Sequence, residues 1–238
     1  MYFYEYLRYL IFAAPVLIFA LIAQIRVKSA FRKYSAVPNS RSISGAMAAQ
    51  MVLDNYGITD IRIERCGGNL TDNYSPNEHV IRLSDGVYSS TTVAAVGIAC
   101  HEAGHAVQHA ENYVPNKIRT ALVPVTNFGS RFGLLIAFLG YFLAYLSYSS
   151  IGYYIIIAGL ALYGFVALFQ LVTLPVEFDA SKRALKAIDN IGLLTGDEYK
   201  GAKSVLRAAA MTYVAALATA IVNLLYYIFR LLGNSRRG

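Results

Sequence analysis

Residues 151–172 read IGYYIIIAGLALYGFVALFQLV, without one charged side chain. About 20 helical residues cross the hydrocarbon core of a bilayer, and this run carries no polar face wide enough for a helix of a soluble bundle. It is therefore expected to span a membrane. Three further runs repeat the pattern: LRYLIFAAPVLIFALIAQI at 7–25, FGLLIAFLGYFLAYL at 132–146 and AAAMTYVAALATAIVNLLYYIFRLL at 208–232. The first has a long apolar core with no cleavable small-residue site after it, so it reads as a retained helix rather than a signal peptide. Transmembrane helices are expected at 4–25, 132–148, 151–172 and 208–232, with Pro15 a tolerated bend in the first. Composition agrees: 56% of the 238 residues are hydrophobic and 15% charged, against roughly 25% charged in soluble domains.

The runs leave about 100 residues outside the membrane, enough for one small domain. The net charge of +7 does not point to nucleic acid, because the cations sit at the ends of the apolar runs and no binding motif accompanies them. Arg26, Lys28, Arg32 and Lys33 follow the first run; Lys117, Arg119 and Arg131 precede the second. Lys182, Arg183 and Lys186 follow the third, and Lys200, Lys203 and Arg207 precede the fourth, whereas the SYSSIG link at 147–152 has no charge. The positive-inside rule places 26–131 and 173–207 in the cytoplasm and both termini outside. Arg8, Arg236 and Arg237 pull mildly the other way. Cys66 and Cys100, the only cysteines, read as two free thiols, too few for a four-cysteine metal site.

Within 26–131, SISGAMAAQMVLDNYG predicts a helix over 42–56 that stops at Gly57. ITDIRIERC at 58–66 and HVIRL at 79–83 alternate as strands, and GGNLTDNYSPNE between them is rich in turn residues. A second helix is expected from about Thr91 to Glu111. The order of helix, strands and helix describes a small α+β domain.

That second helix carries His-Glu-Ala-Gly-His at 101–105. Positions i and i+4 share a helix face one turn apart, so His101 and His105 can meet one zinc ion while Glu102 takes a proton from water activated there. Buried without partners, two imidazoles and a carboxylate would be costly. Gly104 costs helix propensity, which a close approach by another backbone would explain.

Catalytic zinc takes three protein ligands and keeps one position for water. Glu177, in LPVEFDASKRA, opens an expected helix just after the third membrane segment. Two crossings separate it from His105, which returns it to the motif's own side whatever the absolute orientation. His109 and His79 compete for the same role. A third histidine on one straight helix would spread the ligands over about 12 Å at 1.5 Å per residue, which makes His109 better suited to a supporting or substrate-proximal position. His79 introduces a strand. Asp179 and Ser181 are close enough in sequence to hydrogen-bond the ligating imidazoles.

HEAGH, the hydrophobic helices after it and PVEFDASKRA together resemble the YugP-like family of membrane zinc metallopeptidases over nearly the whole chain. The resemblance implies a bacterial inner-membrane enzyme with a zincin-like catalytic domain of the HExxH-plus-Glu class. It implies one zinc per chain held by His101, His105 and Glu177, with Glu102 as general base. A more distant likeness links the chain to the HtpX and CAAX-prenyl endopeptidase group, whose third-ligand segment reads Glu-x-x-Ala-Asp. Residues 177–181 here read Glu-Phe-Asp-Ala-Ser, with Ser181 in the acidic position.

The fold expected is thus an α-helical integral membrane protein with a small α+β zincin-like catalytic domain. Its expected substrate is a membrane-associated or cytoplasmic polypeptide, which could dock by strand addition along HVIRL. A non-peptide amide or a lipid-linked substrate would keep the zinc and call for a cavity lined by membrane helices. A metal-binding scaffold or transporter would call for ionisable residues inside the runs, where Asn223 is the main internal polar residue.

Overall fold

The computed structural model describes residues 2–147 and 150–235. Tyr148 and Ser149 of the uncharged link, and Arg236 and Arg237, lie outside the described residues. The elements are α1 (Tyr2–Tyr34), α2 (Gly45–Asn55), β1 (Arg62–Cys66), β2 (Asn73–Ser75), β3 (Val80–Ser84) and α3 (Asp85–Tyr88), followed by α4 (Val93–Ala110) and α5 (Val114–Phe128). A π-helical turn (Gly129–Gly133) joins α5 to α6 (Leu134–Ser147), and α7 (Ser150–Ile191) and α8 (Gly196–Ser235) complete the chain. They form two units: residues 1–21, 118–174 and 213–238, and residues 22–117 and 175–212.

Over its described residues the first unit is helical. Among the described residues, four helices are long and apolar enough to cross a membrane: Leu7–Tyr34, Val114–Ala144, Ile151–Ile191 and Gly196–Gly233. Their large side chains face outward, with Ile11 66% and Phe138 65% exposed, an arrangement that lipid solvates and water does not. Glycines let α6 and α7 pack backbone to backbone: a Cβ on Gly140 would stand 2.6 Å from the Ile156 nitrogen, the small-residue packing that membrane helices use. Asn223 is satisfied within this unit, accepting from the Tyr9 hydroxyl at 3.1 Å and donating to that of Tyr163 at 3.3 Å.

All four expected spans, over their described residues, are segments of longer helices, with 4–25 lying inside α1. Residues 132–147 form the second half of a helical stretch that begins at Val114, and the run at 208–232 lies inside α8. The third does not stop at 172, and no new helix opens at Glu177. Helix α7 continues to Ile191 through Pro175, whose missing N–H forfeits one bond without ending the helix.

The second unit is built on α4. Its Val, Ala and Cys side chains join Val52, Leu53, Ile81, Leu83, Ala184, Ile188 and Leu206 in one buried core. Asn39 pins the entry to α4, its amide donating to the Ile43 and Thr91 carbonyls at 2.8 and 2.6 Å while accepting from the Ile43 N–H at 2.9 Å. The sheet has the order β1-β3-β2, with β3 parallel to β1 and antiparallel to β2. Strand β2 falls within the segment expected to be only turns. Its position overturns strand addition along HVIRL: β3 is central and already bonded on both sides, which leaves only β1 and β2 as edges. Cys66 and Cys100 are free, and burial pushes the Cys100 thiol well above its ordinary pKa.

Candidate metal centre

Helix α4 starts cleanly because Thr92 caps it, its hydroxyl accepting from the Ala95 N–H at 3.4 Å. It ends where Asn112 takes a left-handed φ of 57°. Between these ends the HEAGH face meets α7. A Cβ on Gly104 would lie 2.6 Å from the Ala180 carbonyl oxygen, so glycine here allows the two backbones to touch. That contact brings Glu177, three residues before Ala180, against the histidines.

Glu177 Oε2 lies 3.3 Å from His101 Nε2 and 3.5 Å from His105 Nε2. The imidazole rings stand nearly perpendicular, at 82°, with centroids 4.7 Å apart. One potential ligand atom from each of His101, His105 and Glu177 lies within 4.8 Å of the others. Two nitrogens and one carboxylate oxygen are a donor set suited to zinc with a position left for water. Glu177 is 2% exposed, and a carboxylate so buried needs compensating charge. Burial would raise its pKa, but hydrogen bonds from His101 and His105 and their charge outweigh burial and hold it well below the carboxylate range. The stability gained from the ionised carboxylate is therefore present above its ordinary pKa and is lost only as pH falls through the lowered folded value. Glu102, beside His101 on α4, is also buried.

Each histidine has its other nitrogen engaged. His101 Nδ1 is 3.2 Å from the Ser181 hydroxyl, and His105 Nδ1 is 3.0 Å from Gln108 Oε1. The Gln108 amide nitrogen donates to the Val176 carbonyl at 2.8 Å and to Asp179 Oδ2 at 2.9 Å. Its oxygen is thus the acceptor for His105 Nδ1–H, which makes Nε2 the nitrogen that presents a lone pair to a metal once its own proton leaves. Asp179 is fixed in turn by Arg183, which also pairs with Glu111. Asp179 therefore reaches the site through Gln108 and touches neither imidazole directly.

Gln108 is the residue sequence reasoning missed. It is fully buried and stands three residues after His105 on the same stretch of helix face. His109 and His79 take no part in this cluster. His109 Nδ1 lies 2.9 Å from the Tyr74 hydroxyl, and His79 Nδ1 lies 2.8 Å from Asp60 Oδ2.

The family model described as "Putative neutral zinc metallopeptidase" matches residues 9–232. The chain is 41% identical over 206 residues to "Putative membrane protease YugP" of Bacillus subtilis (strain 168), covering 87% of this chain and 88% of that protein. No solved structure gives a significant match. A family match over residues 9–232, with 41% identity across 87% of the chain, shows that the chain belongs to the neutral zinc metallopeptidase family.

Proposed function

We propose that the protein is a zinc-dependent membrane endopeptidase in which His101, His105 and Glu177 hold one zinc ion and Glu102 is the general base. The convergence of three ligand atoms within 4.8 Å, with both histidine Nδ1 atoms already engaged, carries this reading. Zinc bound there would supply a Lewis acid that polarises the scissile carbonyl and lowers the pKa of water. Glu102 accepts the proton from the attacking water as the new C–O bond forms. It returns that proton to the nitrogen as the C–N bond breaks. Gln108 holds His105 in the tautomer that presents Nε2, and Ser181 holds the orientation of the His101 ring. The site helix α4 beside a small sheet, with the third ligand on a later helix, supports a zincin-like catalytic unit. The Lys and Arg distribution around the apolar runs supports a cytoplasmic active site.

The test is peptide hydrolysis by the detergent-purified protein against a fluorogenic peptide library. Glu102→Gln should keep the zinc and lower kcat/KM about 10²–10⁴-fold, the range of a lost general base. Cleavage by Glu102→Gln at the wild-type rate would contradict the assignment.

A further inference from the structure

We infer that His79 and His109 form a second site for a late first-row divalent cation such as Zn²⁺, held through their Nε2 atoms. His109 occupies the last turn of α4 and His79 immediately precedes β3. Their rings stand at 79° with centroids 5.7 Å apart, close to the 82° and 4.7 Å of His101 and His105. With zinc–nitrogen bonds of about 2.0–2.1 Å, two Nε2 atoms on rings at that separation are able to share one ion.

The Nδ1 atoms support the same reading. Asp60 can only accept when ionised, so His79 Nδ1 carries a proton and Nε2 is the nitrogen available to a metal. His109 Nδ1 is held by the Tyr74 hydroxyl at 2.9 Å. An oxygen partner on the non-ligating nitrogen is the usual arrangement behind a metal-bound histidine. His79 and Asp60 are 46% and 66% exposed, so a cation enters from solvent. Imidazole nitrogens select zinc, nickel or copper over magnesium or calcium. An ion here would tie the entry of β3 to the end of α4, immobilising the β2–β3 hairpin.

Zinc titration of untagged, detergent-purified protein already loaded at the first site tests this by calorimetry, with melting curves to confirm folding. The wild type should bind one further zinc equivalent and no magnesium. His79→Ala and His109→Ala should each lose that equivalent while retaining the first, and Asp60→Asn should weaken it about 10-fold. Glu177→Ala should keep the second equivalent even where the first is lost, which separates this site from the proposed catalytic one. Absence of a further equivalent in the wild type, or its persistence in the His79→Ala/His109→Ala double variant, would overturn the inference.

Discussion

The side chain that joins the two halves of the metal cluster is Gln108. It takes its hydrogen bond from His105 and gives its own to Val176 and Asp179 on α7, so one amide sets both an imidazole tautomer and the helix that bears Glu177. Gln108→Ala would leave the His105 N–H, the Val176 carbonyl and Asp179 without this partner in a buried position. Zinc affinity should fall about 10–100-fold, as for other groups supporting a metal ligand, and stability by about 1–3 kcal/mol. Equilibrium dialysis against a zinc chelator and denaturant melts measure the two. The meeting of His101 and His105 was legible because their i, i+4 spacing is itself the geometry of a helix face. Ser181 and Asp179 were legible by nearness to Glu177, although Asp179 acts through an intermediary. Gln108 was not, because an amide within an apolar helix has no pattern that distinguishes a buried hydrogen-bonding role from an exposed one.

At the scale of elements, the site depends on how closely α4 and α7 approach. Gly104→Ala places a methyl group 2.6 Å from the Ala180 carbonyl, a distance that backbone must move to relieve. The resulting shift of α7 should carry Glu177 away from the histidines and reduce bound zinc, although none of the three ligands has changed. Zinc content per chain checks this, and full occupancy in Gly104→Ala would contradict it. Gly140→Leu should likewise separate α6 from α7, lowering the melting temperature in detergent. The strand at HVIRL and the helix bearing HEAGH were legible from their periods. Strand β2 was hidden because Asn73–Ser75 is three residues long amid turn-forming neighbours, too short to alternate. Its pairing also decided which strand is central, a non-local fact that no period in HVIRL contains. The length of α7 was hidden by Pro175 and by the change from apolar to charged residues after it, which marks the end of a hydrophobic run and not the end of a helix.

Across the whole molecule, hydropathy spoke most plainly. Among the described residues, four helices are long and apolar enough to cross a membrane and leave large apolar side chains exposed, so the expressed protein should stay with the membrane pellet after alkaline carbonate extraction. Recovery in the carbonate supernatant would contradict the membrane assignment. The same chain returns from its hydrophobic helices to complete a buried cluster of His101, His105 and Glu177, and topological parity made that return legible before any coordinates. The central claim is that these three side chains hold one zinc ion while Glu102 acts beside it without holding it. Elemental analysis of untagged protein, dialysed to remove weakly held metal, tests it most directly. Wild type and Glu102→Gln should each retain about one zinc per chain, and Glu177→Ala should lose most of it, as a three-ligand site requires. A folded wild type without zinc, or a Glu177→Ala variant with its zinc intact, would contradict it.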